Sequence, residues 1–369
     1  MSSRILPAGL GSTAAARRAM RGVGLIEIMI AMTISLIIAV GALSLFASTS
    51  KNYLAHQTSS TLEESSRYVF SVLEPDVRLA GYWGLTGSAA AVSGGSSQQV
   101  GTTASGLGAA STAVGSCGLN FGVDVQTPLE GTNDGYLGGA GAGCTAQSGA
   151  MPSADTLTVR HASVAQSTVA GNGPLRVCST FSAAVLVNTL GGCIIETIIG
   201  PTGAASNGGI YDLVVNTYYV DQNSPATAGV PTLYRQTLTN VPNAAPTMVN
   251  TPILPGVEDL QVQFGIDPTG ASGTASQYVD AQTALQLYNG SSTATVQIVA
   301  VRVWLLVRSL TPTGGFTDRN TYQYANRSIA NGTVTTLTGA SAAKAYAPND
   351  HYLRLLMSRT IMLRNASGT

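Results

Sequence analysis

Arg21-Gly22, then Glu27 five residues past the glycine, is the one stretch whose residue types and spacing carry an evident chemistry. Gly22 is small and flexible, and it stands between a basic segment and an apolar run, where a peptidase could admit the chain. Glu27 is the single charge between Val23 and Phe46. An ionisable group one turn into such a run is expensive in lipid, so it implies a function and a partner for the carboxylate. The other candidate groups are poorer. His56, His161 and His351 share no metal-ligand spacing, and each reads as a surface or packing histidine. No G-x-S-x-G elbow or P-loop occurs, so no enzyme is expected and any energy input must come from a partner. Asp267–Gly273 with Asp280 lacks the alternating ligands and closing glutamate of an EF-hand, and neither metal nor cofactor is expected. Asn289-Gly290-Ser291 and Asn331-Gly332-Thr333 read as turns.

The elements that position this junction follow from hydropathy. Val23–Phe46 reaches roughly 36 Å as a helix, enough to cross a bilayer. Ahead of it stand Arg4, Arg17, Arg18 and Arg21 with no acid, which keeps the N-terminus cytoplasmic and sends the rest across. The helical pattern continues through residues 47–80. Leu62, Val69, Val72, Leu73 and Ala80 form an apolar stripe, and Glu63, Glu64 and Arg67 lie opposite. Pro75 predicts a kink or restart near Leu73–Pro75.

The expected fold is α+β, a long N-terminal apolar helix packed on a β-rich domain with long Gly/Ser-rich loops. The boundaries read 1–22 leader, 23–46 membrane or filament-core helix, 47–80 amphipathic continuation and 81–369 extracytoplasmic domain. Ser88–Ala150 is rich in small residues and reads as a surface excursion with little core. Strands are expected at Thr156–Arg160, Cys193–Ile199, Asp212–Val220 and Thr232–Gln236. In a one-sided strand Leu260, Val262, Phe264 and Ile266 alternate with Gln261, Gln263 and Gly265, and Asp267-Pro268-Thr269-Gly270 turns the chain. Val299, Val301, Val303, Leu305 and Val307 form one face of the strongest strand. Tyr82 and Trp83 read as corner packing.

Lys+Arg and Asp+Glu are 18 each. A cut after Gly22 removes four arginines, leaving 14 cations against 18 acids, a net charge of −4. That balance lacks the basic footprint of a general nucleic-acid binder, and no nucleic acid is expected as a partner. Cys117, Cys144, Cys178 and Cys193 fall outside the cytoplasm on this topology, where disulfides persist. Of three connectivities, local pairing of Cys117 with Cys144 and Cys178 with Cys193 is favoured.

The basic leader, Gly22, Glu27 and the apolar helix together resemble the type IV pilins. That resemblance implies cleavage by a prepilin peptidase between Gly22 and Val23 and N-methylation of Val23. It also implies that Glu27 meets the N-terminal amine of a neighbouring subunit. Val23 and Gly24 stand where the family commonly has phenylalanine and threonine or serine, and Met20 offers a second start. Asp76-Val77-Arg78-Leu79-Ala80-Gly81-Tyr82-Trp83-Gly84, the blocks Gly256–Ile266 and Ala300–Ser309, and the strand Leu353–Asn365 resemble the PilW family of minor pilins, with Leu85 in place of a frequent cysteine. What this implies is an inner-membrane prepilin that becomes part of a surface filament. With other minor pilins, the major pilin and a tip adhesin as partners, it would prime pilus assembly and sit at the tip. The alternative reading is a minor pseudopilin of a type II secretion system. A membrane-tethered hydrolase would need clustered acid and base residues, and a DNA-uptake receptor would need a basic stripe.

Overall fold

A computed structural model describes residues 22, 24–94, 117, 120–136, 144–168, 172–188, 193, 208–239, 241–270, 272–281, 283–284, 296–325, 327–330, 333–336, 344–345 and 349–365. The chain divides into two units, Met1–Tyr53 and Leu54–Thr369. One helix, α1 (Leu25–Leu79), begins in the first and ends in the second. The expected restart at Pro75 does not occur. Proline takes one backbone donor from the helix, but Leu73 and Val77 on either side are both fully buried, and their packing holds the last turn in place.

The strands are β1 (Val92–Ser93), β2 (Leu129–Thr132), β3 (Thr156–Gln166), β4 (Arg176–Ser179), β5 (Ala184–Val187), β6 (Gly209–Asp221), β7 (Thr232–Leu238) and β8 (Met248–Pro255). They continue with β9 (Val257–Asp267), β10 (Gln277–Asp280), β11 (Gln297–Arg308), β12 (Tyr322–Tyr324), β13 (Arg327–Ala330), β14 (Thr333–Thr336), β15 (Lys344–Ala345) and β16 (Arg354–Met362). The first sheet runs β1-β5-β4-β6-β3-β2 and carries β7 and β8 as a branch. The branch arises because β6 is long: Gly209–Asp212 pairs with β4 and Asn216–Asp221 pairs with β7. A second sheet runs β10-β9-β11-β16, antiparallel throughout, and β12-β13-β14-β15 form a third.

The main core joins α1 to both large sheets. Leu62, Val69, Phe70, Leu73 and Val77 of the helix meet Leu157, Val159, Tyr218, Leu260, Val262, Val301, Val303 and Leu305. The second core holds Trp83, Phe121, Val123, Val125, Leu175, Val177, Leu213 and Val215. Residues 120–125 therefore overturn the expectation of a coreless excursion: Phe121 and Val123 are fully buried. Their anchor is Arg160 on β3, itself fully buried. Its Nε donates to Phe121 O at 3.0 Å, Nη1 to Thr127 O at 2.8 Å and Nη2 to Glu130 Oε2 at 2.7 Å. Local small-residue composition gives no sign of a long-range guanidinium that satisfies three turns of backbone and side chain at once.

The disulfides pair Cys117 with Cys144 and Cys178 with Cys193. The segment expected as a strand after Cys193, and Asn289 and Asn331, lie outside the described residues. The one-sided reading of β9 is also corrected. Gln261 is fully buried and Asp259 nearly so, because Tyr324 of β12 covers that face and donates to Asp259 Oδ2 at 2.7 Å. Gly81 and Gly84 have φ of +75° and +81°. At Gly84 a Cβ would meet the Tyr211 ring at 2.7 Å, so the turn leaving α1 accepts only glycine there.

One buried carboxyl stitches the two large sheets together, and a second ties the second sheet to the third. Asp155, just before β3, donates its backbone N–H to Leu260 O and accepts from Val262 N at Oδ2, both at 2.8 Å. Asp259 lies close by on β9. Burial is the main cause that raises its pKa to about 7, against the hydrogen bonds of Tyr324 and Gln261, with the Glu258 charge adding to the rise. A free aspartate ionises near pH 3.9. Between about pH 4 and 7 the folded chain thus binds one proton more than the unfolded chain at this site, and stability falls as pH rises through that window. In Asp259→Asn this contribution is lost. Urea titrations across that range are expected to show a shallower decline of unfolding free energy than in the parent, with no difference in slope above about pH 7.

Candidate functional site: the processing junction and helix α1

Gly22 is exposed, and Val23 lies outside the described residues. Gly24 opens the helix: its carbonyl accepts from Glu27 N at 3.0 Å and from Ile28 N at 3.2 Å. Glu27 thus falls in the first helical turn, where the partial positive charge of the helix N-terminus favours a carboxylate. All residues from Leu25 to Phe46 are exposed, among them Ile26 at 73%, Ile37 at 71% and Phe46 at 74%. An exposed apolar surface of that length is stable only in lipid or against other apolar helices. The polar residues within it conform to the same demand. Thr33 Oγ1 donates to Ile30 O and Ser44 Oγ to Gly41 O, each at 2.8 Å, so these hydroxyls are satisfied within the helix itself. Glu27, Ala31, Ser35 and Ala39 recur every fourth residue, with Ile28, Met32 and Leu36 beside them along the same shallow depression. Small side chains in such a row let a second helix approach closely.

The second half of α1 obeys the ordinary amphipathic rule. Buried positions are Leu62, Ser66, Val69, Phe70, Leu73 and Val77, and Ser66 Oγ returns its proton to Leu62 O at 2.7 Å. Sequence spacing found Leu62, Val69 and Leu73 but not Phe70 or Val77. The i+4 partners of Ser66 and Leu73 complete the stripe, and reading Ser66 as an inward residue would have located both. The opposite face carries the loose pair Glu63–Arg67 at 3.9 Å, both largely exposed, which contributes little.

Near the helix end Asp76 accepts from Tyr218 Oη and Asn216 Nδ2, each at 2.5 Å, and lies 3.6 Å from His161 Nε2. Burial pushes this carboxyl up, but the nearby His161 and the hydrogen bonds from Tyr218 and Asn216 outweigh burial and hold it below its ordinary value. The aspartate is a fastener between helix and sheet. His56 is exposed, and His351 binds Phe316 O, so the three histidines stay apart. Asp267 is taken up by the Thr269 and Ser272 hydroxyls and by the Thr269, Ser272 and Gly273 amides, which makes it a loop organiser. Among the described residues no group of three or more His, Cys, Asp or Glu is placed to hold a metal.

Comparison with known proteins agrees with this geometry. A model of the type IV pilus-assembly protein W family, PilW, matches residues 217–365, from β6 through β16. A model of the prokaryotic N-terminal methylation motif matches residues 17–43, across the junction and the first half of α1. Among solved structures, a type IV-like pilin from Thermus thermophilus is 14% identical, with 84% of this chain and 97% of that chain covered and a TM-score of 0.31. No curated protein matches. The chain is thus type IV pilin-like at its N-terminus, where it carries the methylation motif, and PilW-like over residues 217–365.

The helix faces are tested by two alanine variants of the full chain in detergent. Leu73→Ala is expected to cost about 2–5 kcal/mol in guanidinium unfolding followed by Trp83 fluorescence. Tyr68→Ala, half exposed on the other face, is expected within about 0.5 kcal/mol of the parent.

Proposed function

We propose that the chain is a minor pilin, cut between Gly22 and Val23 by a prepilin peptidase and methylated on the new amine of Val23. The observation that carries this reading is the placement of Gly22 and Glu27. The glycine is exposed immediately ahead of an uninterrupted helix, and the lone acid lies in the first turn of a fully exposed apolar surface. A carboxylate and an ammonium brought together in a low-dielectric setting each lower the other's burial cost. Glu27 therefore supplies register, because it meets the amine of a neighbouring subunit's first residue.

Before assembly the protein is a single-pass protein of the inner membrane with its N-terminus cytoplasmic. Residues 1–22 are the leader, 23–46 the membrane and filament-core helix, 47–80 the amphipathic spine and 81–369 the periplasmic domain. With other minor pilins it primes the filament, and it then occupies the tip beneath an adhesin, at the cell surface. The mechanism is non-enzymatic. The row of Ala31, Ser35 and Ala39 beside Glu27, flanked by Ile28, Met32 and Leu36, gives a lateral packing surface, and the three-sheet domain gives partner-specific faces.

The test is the mass and N-terminal sequence of the protein purified from its native host, with and without the peptidase gene. An N-methylated Val23 that depends on the peptidase is expected, and Gly22→Val is expected to leave the leader attached. Glu27→Ala is expected to be processed and to stay in the membrane fraction, with loss from sheared filaments of tenfold or more, about 1.4 kcal/mol in assembly equilibrium. An intact leader in the parent, or a cut beyond Phe46, overturns the reading.

A further inference from the structure

At the end of α1 the domain carries a cleft of about 460 Å³ lined by Glu74, Pro75, Arg78, Leu79, Val164, Arg359 and Arg364, with Ser71 at its rim. Its charges do not balance. Glu74 is the one acid in the lining, and two guanidiniums share it: Arg78 Nη2 lies 2.5 Å from Oε1 and Arg359 Nη1 2.5 Å from Oε2. Among the described residues no ion pair engages Arg364, which stands exposed in the same wall. The cleft thus holds a surplus of two positive charges in a chain whose processed form is net acidic.

The surplus is built rather than incidental. Arg359 comes from β16, packs over the Phe70 ring at 5.5 Å and reaches across to Glu74, and its partner in the adjoining strand is Val303. Arg364 N donates to Arg78 O at 3.3 Å, which brings the strand's end beside the helix's end. Opposite them the irregular stretch of β3, where pairing shifts between Ala162 and Gln166, presents Val164 at 67% exposure. An apolar lip of Val164, Pro75 and Leu79 beside guanidinium forks suits a ligand with methylenes leading to a planar carboxylate.

We infer that this cleft receives an acidic side chain, a glutamate before an aspartate, from a neighbouring pilin subunit. The inference rests on the assembly reading above and specifies one lateral contact within it. Charge complementarity selects this occupant. Pilin-type helices are brought side by side in assembly, and this chain shows that such a helix bears acids on its outer flank, at Glu63 and Glu64. Among the described residues no acid pairs with Arg364, and Arg78 and Arg359 are each about half exposed. A compact phosphate would use the forks but leave the apolar lip uncovered.

The test places a photo-reactive p-benzoylphenylalanine at Val164 of the full chain in its native host. After irradiation of intact cells, the cross-linked peptide is mapped by mass spectrometry. A cross-link to a pilin-class subunit within a peptide that contains Glu or Asp is expected. Its yield is expected to fall about tenfold in Arg364→Glu, to persist in Arg364→Lys, and to return when the mapped acid is changed to Arg in the Arg364→Glu background. N-methylation of Val23 is read in the same preparations. A processed chain with no subunit cross-link, a cross-link to phospholipid, or one unchanged by Arg364→Glu overturns the inference alone. An unprocessed chain overturns the assembly reading itself.

Discussion

A single unbroken helix has to satisfy two surroundings, and the rest of the molecule follows from that demand. From Leu25 to Phe46 every side chain is exposed, and the Thr33 and Ser44 hydroxyls turn back on the helix's own carbonyls. From Leu62 to Val77 only one stripe is apolar, and it is buried against two sheets. The backbone cannot announce the change, because its hydrogen bonds are the same in both halves. The change is written in side chains alone. Loss of the inner stripe would release the sheets from the helix, and loss of the outer surface would remove the apolar face that suits the first half to lipid or to other apolar helices.

The domain built on that stripe is poor in charge, and it spends its few charges inside. Arg160 holds residues 121–130 to β3. Arg354, 1% exposed, gathers Glu258, Asp318 and Asp350 at distances from 2.7 to 3.2 Å and so returns the long excursion after β11 to the second sheet. Burying ions is costly in itself, and pairs of this kind specify an arrangement more than they add stability. In a sequence rich in Gly, Ala, Ser and Thr, apolar contact leaves many loop paths nearly equal. Guanidiniums with several fixed acceptors remove that degeneracy.

How much of this was legible depends on the distance over which each signal acts. The apolar run and the alternation of Val299–Val307 are local, and they locate the helix and β11 directly. The pairing of β6 with β7 follows from two neighbouring strand patterns. The burial of Phe121 and of Gln261 was hidden, because each depends on an element far away: Arg160 for the first, β12 for the second. At Pro75 the helix does not restart, because the local penalty is outweighed by tertiary packing of Leu73 and Val77. The cationic cleft was hidden for a similar reason, since Arg78, Arg359 and Arg364 become neighbours only when β16 lies down beside the helix. The same holds for Asp259, whose pKa is raised by burial far from any local sequence signal, while the hydrogen bond from Tyr324 works the other way.

The bond from Arg359 to Glu74 spans 285 positions of the chain. A ribosome delivers residues in order, so the helix and ten or more strands exist before the strand that finishes the second sheet has been made. Until β16 arrives, β11 has an open edge and Glu258 and Glu74 lack their partners on that strand. The fold therefore contains a built-in check on completeness. A copy cut short before β16 keeps the Arg78–Glu74 and Arg308–Glu258 pairs but presents an unpaired edge along β11, the kind of surface on which aggregation starts.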